Sequence, residues 1–185
     1  MEHKIQFKKP AGIFQWLSIY RLYRSAFPDT ERKPFSIIRS MYRTGKTDVW
    51  YCSQNGKFLG FAATINGTEL ILIDYFAVVP SLRQKGYGTS ILRALMHHYK
   101  GKGVFVEIES MYEPCDDLET RRRRRQFYIS CGMKPMNVMA DVFGTKMELL
   151  GKDCVIDFDT YHTFYATQYS EMAARHIKKA YHPEA

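Results

Sequence analysis

Tyr75-Phe76-Ala77-Val78-Val79-Pro80-Ser81-Leu82-Arg83-Gln84-Lys85-Gly86-Tyr87-Gly88-Thr89 is the stretch that decides how this chain folds. An apolar run stops at Pro80, a short loop carries Arg83 and Lys85, and Gly86-x-Gly88 opens a segment of helical period. A strand that passes through a basic, glycine-containing turn into a helix suits an anion. Backbone N–H groups left over at the helix start form a concavity, glycines let the backbone come close, and two cations add long-range attraction. A pyrophosphate is the natural guest.

Two common phosphate loops do not fit. A P-loop needs Gly-Lys-Ser/Thr, which is absent from the sequence. A dinucleotide fingerprint needs a third glycine where Ile91 stands, after a βαβ start. Upstream there are hairpin signals instead. Asp48–Ser53 and Lys57–Ile65 are strand-like runs joined by Gln54-Asn55-Gly56, and a second turn, Asn66-Gly67, leads into Glu69–Val79. Asn-Gly between such runs predicts a tight hairpin.

Further upstream, Ile13, Trp16, Leu17, Tyr20 and Tyr23 predict one amphipathic helix over residues 12–26, stopped by Phe27-Pro28-Asp29. Phe35, Ile38, Met41 and Tyr42 predict a second, begun near Pro34 and ended near Gly45. Downstream, Ile91, Leu92, Leu95, Met96 and Tyr99 share a helix face. Val104, Val106 and Ile108 alternate with Phe105, Glu107 and Glu109 as in a strand. Leu118–Cys131 reads as a helix closed by Gly132, and strands follow over 136–142 and 145–150. The order predicts an α/β sheet of mixed direction.

Composition bounds the partners. The 185 residues suffice for a core without staples, and no segment has the apolar length of a membrane span. Met1–Phe7 lacks a signal-peptide pattern, so cytoplasmic residence is expected. Cys52, Cys115, Cys131 and Cys154 form no CxxC pair and read as small apolar residues; without secretion the Asn66-Gly67-Thr68 sequon is idle, and a hairpin turn accounts for it. His97-His98 lacks a second ligand set, so no metal is expected. The net charge of +8 calls for an anionic partner, and a polyphosphate cofactor accounts for part of it. A nucleic-acid surface would interleave exposed aromatics with the basic run, whereas Phe127 and Tyr128 are expected to face inward.

Arg83-Gln84-Lys85-Gly86-Tyr87-Gly88 after Ala77-Val78-x-Pro80 resembles the coenzyme A pyrophosphate loop of the GNAT superfamily of N-acetyltransferases. Phe127-Tyr128-x-x-x-Gly132-Met133 resembles that superfamily's segment between its fourth helix and the next strand. Ala26-Phe27-Pro28-Asp29-Thr30-Glu31-Arg32 is similar to a stretch found between its first two helices. The resemblance spans roughly residues 5–150. It implies a GNAT-like, mixed but mostly antiparallel central sheet flanked by helices over residues 1–150, with residues 151–185 as a helical C-terminal extension packed on the same domain.

It further implies that acetyl-CoA lies along the strand of residues 69–79, with Phe76, Ala77 and Val78 supplying backbone contacts. Arg83, Gln84, Lys85, Gly86, Tyr87, Gly88 and Thr89 would hold its pyrophosphate. The acceptor amine would attack the thioester directly. By the same resemblance Tyr128 is the general acid for the departing thiolate. For the base we take Glu109, with Glu107 and Asp74 as substitutes, since Glu107 and Glu109 share one strand face.

Members of the superfamily often carry Asn six residues before the phenylalanine corresponding to Phe127; here Arg121 stands there. It opens a run, Arg121–Arg125, that covers every face of a helix and cannot all serve one site. Arg123 and Arg124 are the candidates for packing on the cofactor or reaching its adenosine phosphates.

In the extension, Asp159 is expected to cap one helix through Tyr165, and Glu171–Tyr181 to form another. Tyr161, Phe164, Tyr165 and Tyr169 are placed to pack back over the domain, to wall the acceptor site or to form a homodimer contact. The expected function is transfer of an acetyl group from acetyl-CoA to a small-molecule primary amine. Protein or peptide N-acetylation and a non-catalytic acyl-CoA-binding module are the alternatives.

Overall fold

Hydrophobic period and turn chemistry produce the following elements in a computed structural model that describes residues 5–29 and 31–181. In chain order they are β1 (Gln6–Lys8), α1 (Ile13–Ala26), α2 (Phe35–Arg43), β2 (Thr47–Gln54), β3 (Lys57–Asn66), β4 (Leu70–Val78) and α3 (Tyr87–His98). Then come β5 (Gly103–Glu109), α4 (Leu118–Ser130), β6 (Lys134–Val142), β7 (Thr145–Lys152), α5 (Phe158–Gln168), α6 (Glu171–Ala174) and β8 (Ile177–Ala180). This is an α/β fold of sheet strands flanked by helices. Parts of the first seven residues, and Thr30, which interrupts the 26–32 stretch, lie outside the described residues.

The chain forms two compact units. One runs through Asn66 and resumes with Ile73–Lys100; the other holds Gly67–Leu72 and the described residues from Gly101 onward. In the first unit β1 pairs with β2 and β2 with β3, both antiparallel. The β2–β3 turn behaves as its sequence predicts, with Asn55 at φ 50° and Gly56 at φ 77°. The core gathers Ile19, Leu22 and Tyr23 from α1, Ile38 from α2, and Val49, Phe61, Tyr75 and Ala77 from the strands. The buried stripe of α1 is therefore not the one expected: Ile13 is 77% and Leu17 38% exposed, while Trp16 and Tyr23 face the core. Apolar residues on both sides of α1 made its period ambiguous, and packing chose the Trp16–Ile19–Tyr23 side.

In the second unit β5 pairs with β7, β7 with β6, and β6 with β8, all antiparallel. Two expectations fail here. The segment 171–181 is one helical turn followed by a strand, because β6 offers an open edge on which Ile177–Ala180 pairs. The cap of α5 is Asp157 rather than Asp159; its carboxylate accepts from the Thr160 amide at 2.8 Å.

Asn66-Gly67 turns the chain from β3 toward β4 as expected, the Gly67 amide donating to the Leu70 carbonyl at 2.9 Å, but not with the tight-turn geometry its dipeptide predicts. Asn66 is the last residue of β3, and Gly67 does not take a positive φ. Its glycine is required by crowding: a Cβ there would lie 2.7 Å from the Leu70 carbonyl and 2.9 Å from the Phe164 ring.

Candidate functional site

The first unit carries the expected anion loop. Pro80–Leu82 is a turn of 3-10 helix after β4, and Arg83 follows in extended conformation. Two residues then enter the left-handed region, Gln84 at φ 61° and Gly86 at φ 79°. Gly86 is the N-cap of α3, and a Cβ there would meet nothing within 4 Å. The glycine is thus needed for conformation, and the space above it is open. The first amides of α3 point out of this turn with no intrahelical acceptor. Left-handed residues in a turn aim successive N–H groups at one point, the geometry that holds phosphate oxygens. Gln84 was not legible as a left-handed position, because only glycine advertises one.

Arg83, Gln84, Lys85 and Gly86 are exposed, and Tyr87, Gly88 and Thr89 half-buried. Arg83 donates from Nε to the Val78 carbonyl at 3.2 Å, which ties the loop to the end of β4, and Lys85 donates to the Ser81 carbonyl at 3.1 Å. Both guanidinium and ammonium stay at the surface. Phe76, Ala77 and Val78 occupy the last positions of β4. Nearby, Asp74 pairs with Lys33 at 2.6 Å. The Tyr75 hydroxyl accepts from the Lys33 amide and donates to the Glu31 carbonyl, fastening the residues that precede α2. Burial pushes the Tyr75 phenol well above its ordinary range.

The second unit carries the other candidates. Tyr128, near the end of α4, is 6% exposed, and its ring meets Phe127 at 5.1 Å. Burial pushes its phenol up to about 12, with the Arg124 guanidinium pulling the other way. It is therefore neutral, and a proton donor, throughout the physiological range. Glu109, at the end of β5, receives Arg121 at 3.1 Å and Arg124 at 2.9 Å. Glu107, two residues earlier, accepts from the Tyr161 hydroxyl at 2.8 Å and the Tyr165 hydroxyl at 3.1 Å. The two carboxylates expected to share a face therefore meet different helices, α4 and α5.

The arginine run divides in the same way. Arg121 also pairs with Asp117 and donates to the Ser110 carbonyl. Arg125 grips Glu148 with two bonds, 2.8 and 3.0 Å, and Glu148 is 2% exposed. Arg122 and Arg123 are exposed, and Arg123 meets Glu119, one turn away, at 3.4 Å. Arg124, a candidate for the cofactor's phosphates, is turned instead to Glu109. Sequence reasoning missed the α5 phenols on Glu107 and the buried Glu148; a lone glutamate within an apolar run, Met147-Glu148-Leu149-Leu150, was the available signal for the latter.

Among the described residues no group of His, Cys, Asp and Glu could hold a metal ion, and no helix is long and apolar enough to cross a membrane. The four cysteines are free thiols, Cys52 and Cys131 buried.

Residues 16–132 match the Acetyltransferase (GNAT) family. No curated protein matches the chain by sequence. Solved structures share its fold. A GNAT-family protein from Bacteroides thetaiotaomicron is 19% identical, with a TM-score of 0.75 over 92% of this chain and 98% of its own. A GNAT family acetyltransferase from Elizabethkingia anophelis, with acetyl-CoA bound, is 16% identical, with a TM-score of 0.61 over 83% of this chain and 100% of its own. The ribosomal-protein-S18-alanine N-acetyltransferase of Escherichia coli is 15% identical, with a TM-score of 0.59 over 80% and 92%.

Proposed function

Because the chain belongs to the GNAT acetyltransferase family, we propose that it moves an acetyl group from acetyl-CoA to a primary amine, by direct attack in a ternary complex and with a small molecule as acceptor. The observation that carries the cofactor assignment is the start of α3, where Gln84 and Gly86 are left-handed and the space over Gly86 is open. Arg83 to Thr89 bind the pyrophosphate through backbone amides, assisted by two surface cations. Phe76, Ala77 and Val78 offer backbone groups to the pantetheine arm, as an added strand would use them.

The amine nitrogen attacks the thioester carbonyl carbon, the tetrahedral intermediate collapses, and the carbon–sulfur bond breaks. Tyr128 gives its hydroxyl hydrogen to the sulfur that leaves, and the second proton of the attacking nitrogen passes through water to the phenolate so formed, restoring the phenol. A buried phenol held at about 12 supports that role, since it arrives protonated at any working pH. The ammonium form of the amine must first lose a proton to a carboxylate, directly or through water. Glu109 was the first candidate, but there an incoming ammonium competes with Arg121 and Arg124; at Asp74 it competes with Lys33. Glu109 remains the base we propose, with Glu107, which accepts from the Tyr161 and Tyr165 hydroxyls, and Asp74 as substitutes.

A protein or peptide N-terminus is the second reading, supported by likeness to an enzyme whose name gives a ribosomal-protein alanine as acceptor. Residues 151–185 belong, in this reading, to the same functional domain as residues 1–150.

Calorimetry with acetyl-CoA on the wild type and a Gly86→Glu variant tests the cofactor assignment. Micromolar binding that the variant loses supports it, and absence of wild-type binding overturns it. An amine and peptide panel scored by released thiol then separates a transferase from an acyl-CoA-binding module.

A further inference from the structure

We propose that Arg124 binds a carboxylate of the acceptor, so that the substrate is an amino acid, with its carboxylate a few bonds from the reacting nitrogen, rather than a plain amine. The inference rests on the transferase reading above and names the class of acceptor within it.

Within the arginine run, commitment differs from one guanidinium to the next. Arg121 places its donors on three oxygens: Nε on Asp117 at 2.9 Å, Nη1 on the Ser110 carbonyl at 2.9 Å and Nη2 on Glu109 at 3.1 Å. Arg122 and Arg123 lie exposed, where a long side chain keeps its rotamer freedom. Arg124 stands between these extremes. Its Nη1 donates to Oε2 of Glu109 at 2.9 Å, and its side chain stays 39% exposed. Glu109 is gripped on its other oxygen by Arg121, so Arg124 is moored to an anchored group. A bond on Nη1 leaves the parallel donors of Nε and Nη2, the edge on which a carboxylate seats with two bonds. Among the described residues that edge meets no acceptor.

An unrestrained surface arginine binds an anion weakly, because ordering its long side chain cancels most of the attraction. Glu109 holds this one beforehand, which removes part of that cost. Its place on α4 then selects the ligand. Arg124 lies four residues before Tyr128, so the two side chains leave the helix on one face, about 5–6 Å apart at Cβ. The guanidinium is close enough to pull on the phenol's proton equilibrium. Tyr128 is where the transferase reading puts the departing sulfur. The amine attacks the carbon bonded to that sulfur, so a group attached beside the amine lies nearest to the open edge of Arg124. A carboxylate on the adjacent carbon is the anion that fits, and binding it would orient the nitrogen for attack.

The test uses the full chain as wild type, Arg124→Gln and Arg124→Lys, with acceptors in matched pairs: L-tyrosine and tyramine, L-ornithine and putrescine, L-alanine and L-alaninamide. Disturbing Glu109 would slow both members of a pair alike, whereas losing an anion contact slows only the member with the carboxylate. In the wild type that member is expected to lead by about ten-fold in kcat/KM in the pair that turns over best, chiefly through KM. Arg124→Gln is expected to bring the ratio within about two-fold of one and Arg124→Lys to keep part of it, with acetyl-CoA affinity by calorimetry unchanged in both. A wild-type ratio near one in every pair, or a ratio preserved in Arg124→Gln, would overturn the proposal. So would a large loss of acetyl-CoA affinity in Arg124→Gln, which would put the guanidinium on the cofactor. A second readout needs no turnover. The 15Nε resonance of Arg124, assigned as the one lost in Arg124→Gln, is expected to move on titration with N-acetyl-L-tyrosine and to hold still with N-acetyltyramine. Acetyl-CoA binding with no acetylated acceptor would overturn the transferase reading itself; a resonance still selective for N-acetyl-L-tyrosine would then keep Arg124 as a carboxylate site, and an unselective one would end that too.

Discussion

The loop from Arg83 to Gly88 and the run from Arg121 to Arg125 are the two conspicuously basic stretches of this chain, and they do opposite things. The loop has two cations, both at the surface and both bonded to backbone carbonyls. The run has five, of which Arg121, Arg124 and Arg125 reach carboxylates of β5 and β7. Counting cations would rank the run first as an anion site, whereas following their partners ranks the loop first. A cation advertises a ligand only when the fold has not already answered it.

Breaking the run should cost the most. Arg125→Ala is expected to destabilise the protein by about 3–5 kcal/mol, because Glu148 is left charged and buried. Urea unfolding measures the loss, and the paired change Arg125→Met with Glu148→Leu should recover most of it. If Arg125→Ala costs under about 1 kcal/mol, the pair is weaker than its burial implies and the comparison loses one side.

Tyr128 lies three residues beyond the run on the same helix and should read out in chemistry instead. Tyr128→Phe is expected to lower kcat about 100-fold with little change in acetyl-CoA affinity. Its pH dependence has a definite sign. The phenol must be protonated to donate, and burial raises it to about 12, so the basic limb of kcat should show no loss from Tyr128 below about pH 11. A basic limb near pH 9 that disappears in Tyr128→Phe would mean the phenol titrates there and is less enclosed than its burial implies.

On the other side of the comparison, Arg83→Ala and Lys85→Ala should each weaken acetyl-CoA binding about ten-fold and leave unfolding within about 0.5 kcal/mol. The smallest effects belong to Arg122→Ala and Arg123→Ala, expected within about 0.5 kcal/mol in stability and two-fold in acetyl-CoA affinity. A large affinity loss at either would move part of the cofactor site onto α4.

The division between the stretches also explains what was legible. The loop's role follows from residues close in sequence: strand, turn, glycine and helix start all lie within Tyr75–Thr89. The arginines meet partners 15 and 23 residues away, Glu109 and Glu148, and no local pattern names them. Likewise the Asn55-Gly56 hairpin was readable from its dipeptide, while Gly67 answered to a ring at Phe164, far along the chain. The face of α1 and the strand at Ile177–Ala180 were misjudged for the same reason, since apolar neighbours in one case and an open strand edge in the other decide them. Tyr128 and the loop came from motif; the phenols on Glu107 came only from three dimensions.

The terminal strand β8 has one more consequence, for how this protein behaves in a crowded solution. It pairs Ile177–Ala180 against Val142–Met139 and presents Lys178 and Lys179 to solvent. Without it β6 would offer its own unpaired N–H and C=O groups to any extended chain nearby. With it, the exposed border is four residues long and doubly cationic, a poor template for a second molecule. A chain shortened after β7 would keep every residue of the anion loop and still be expected to gather into aggregates, so its solubility depends on a segment remote from its chemistry.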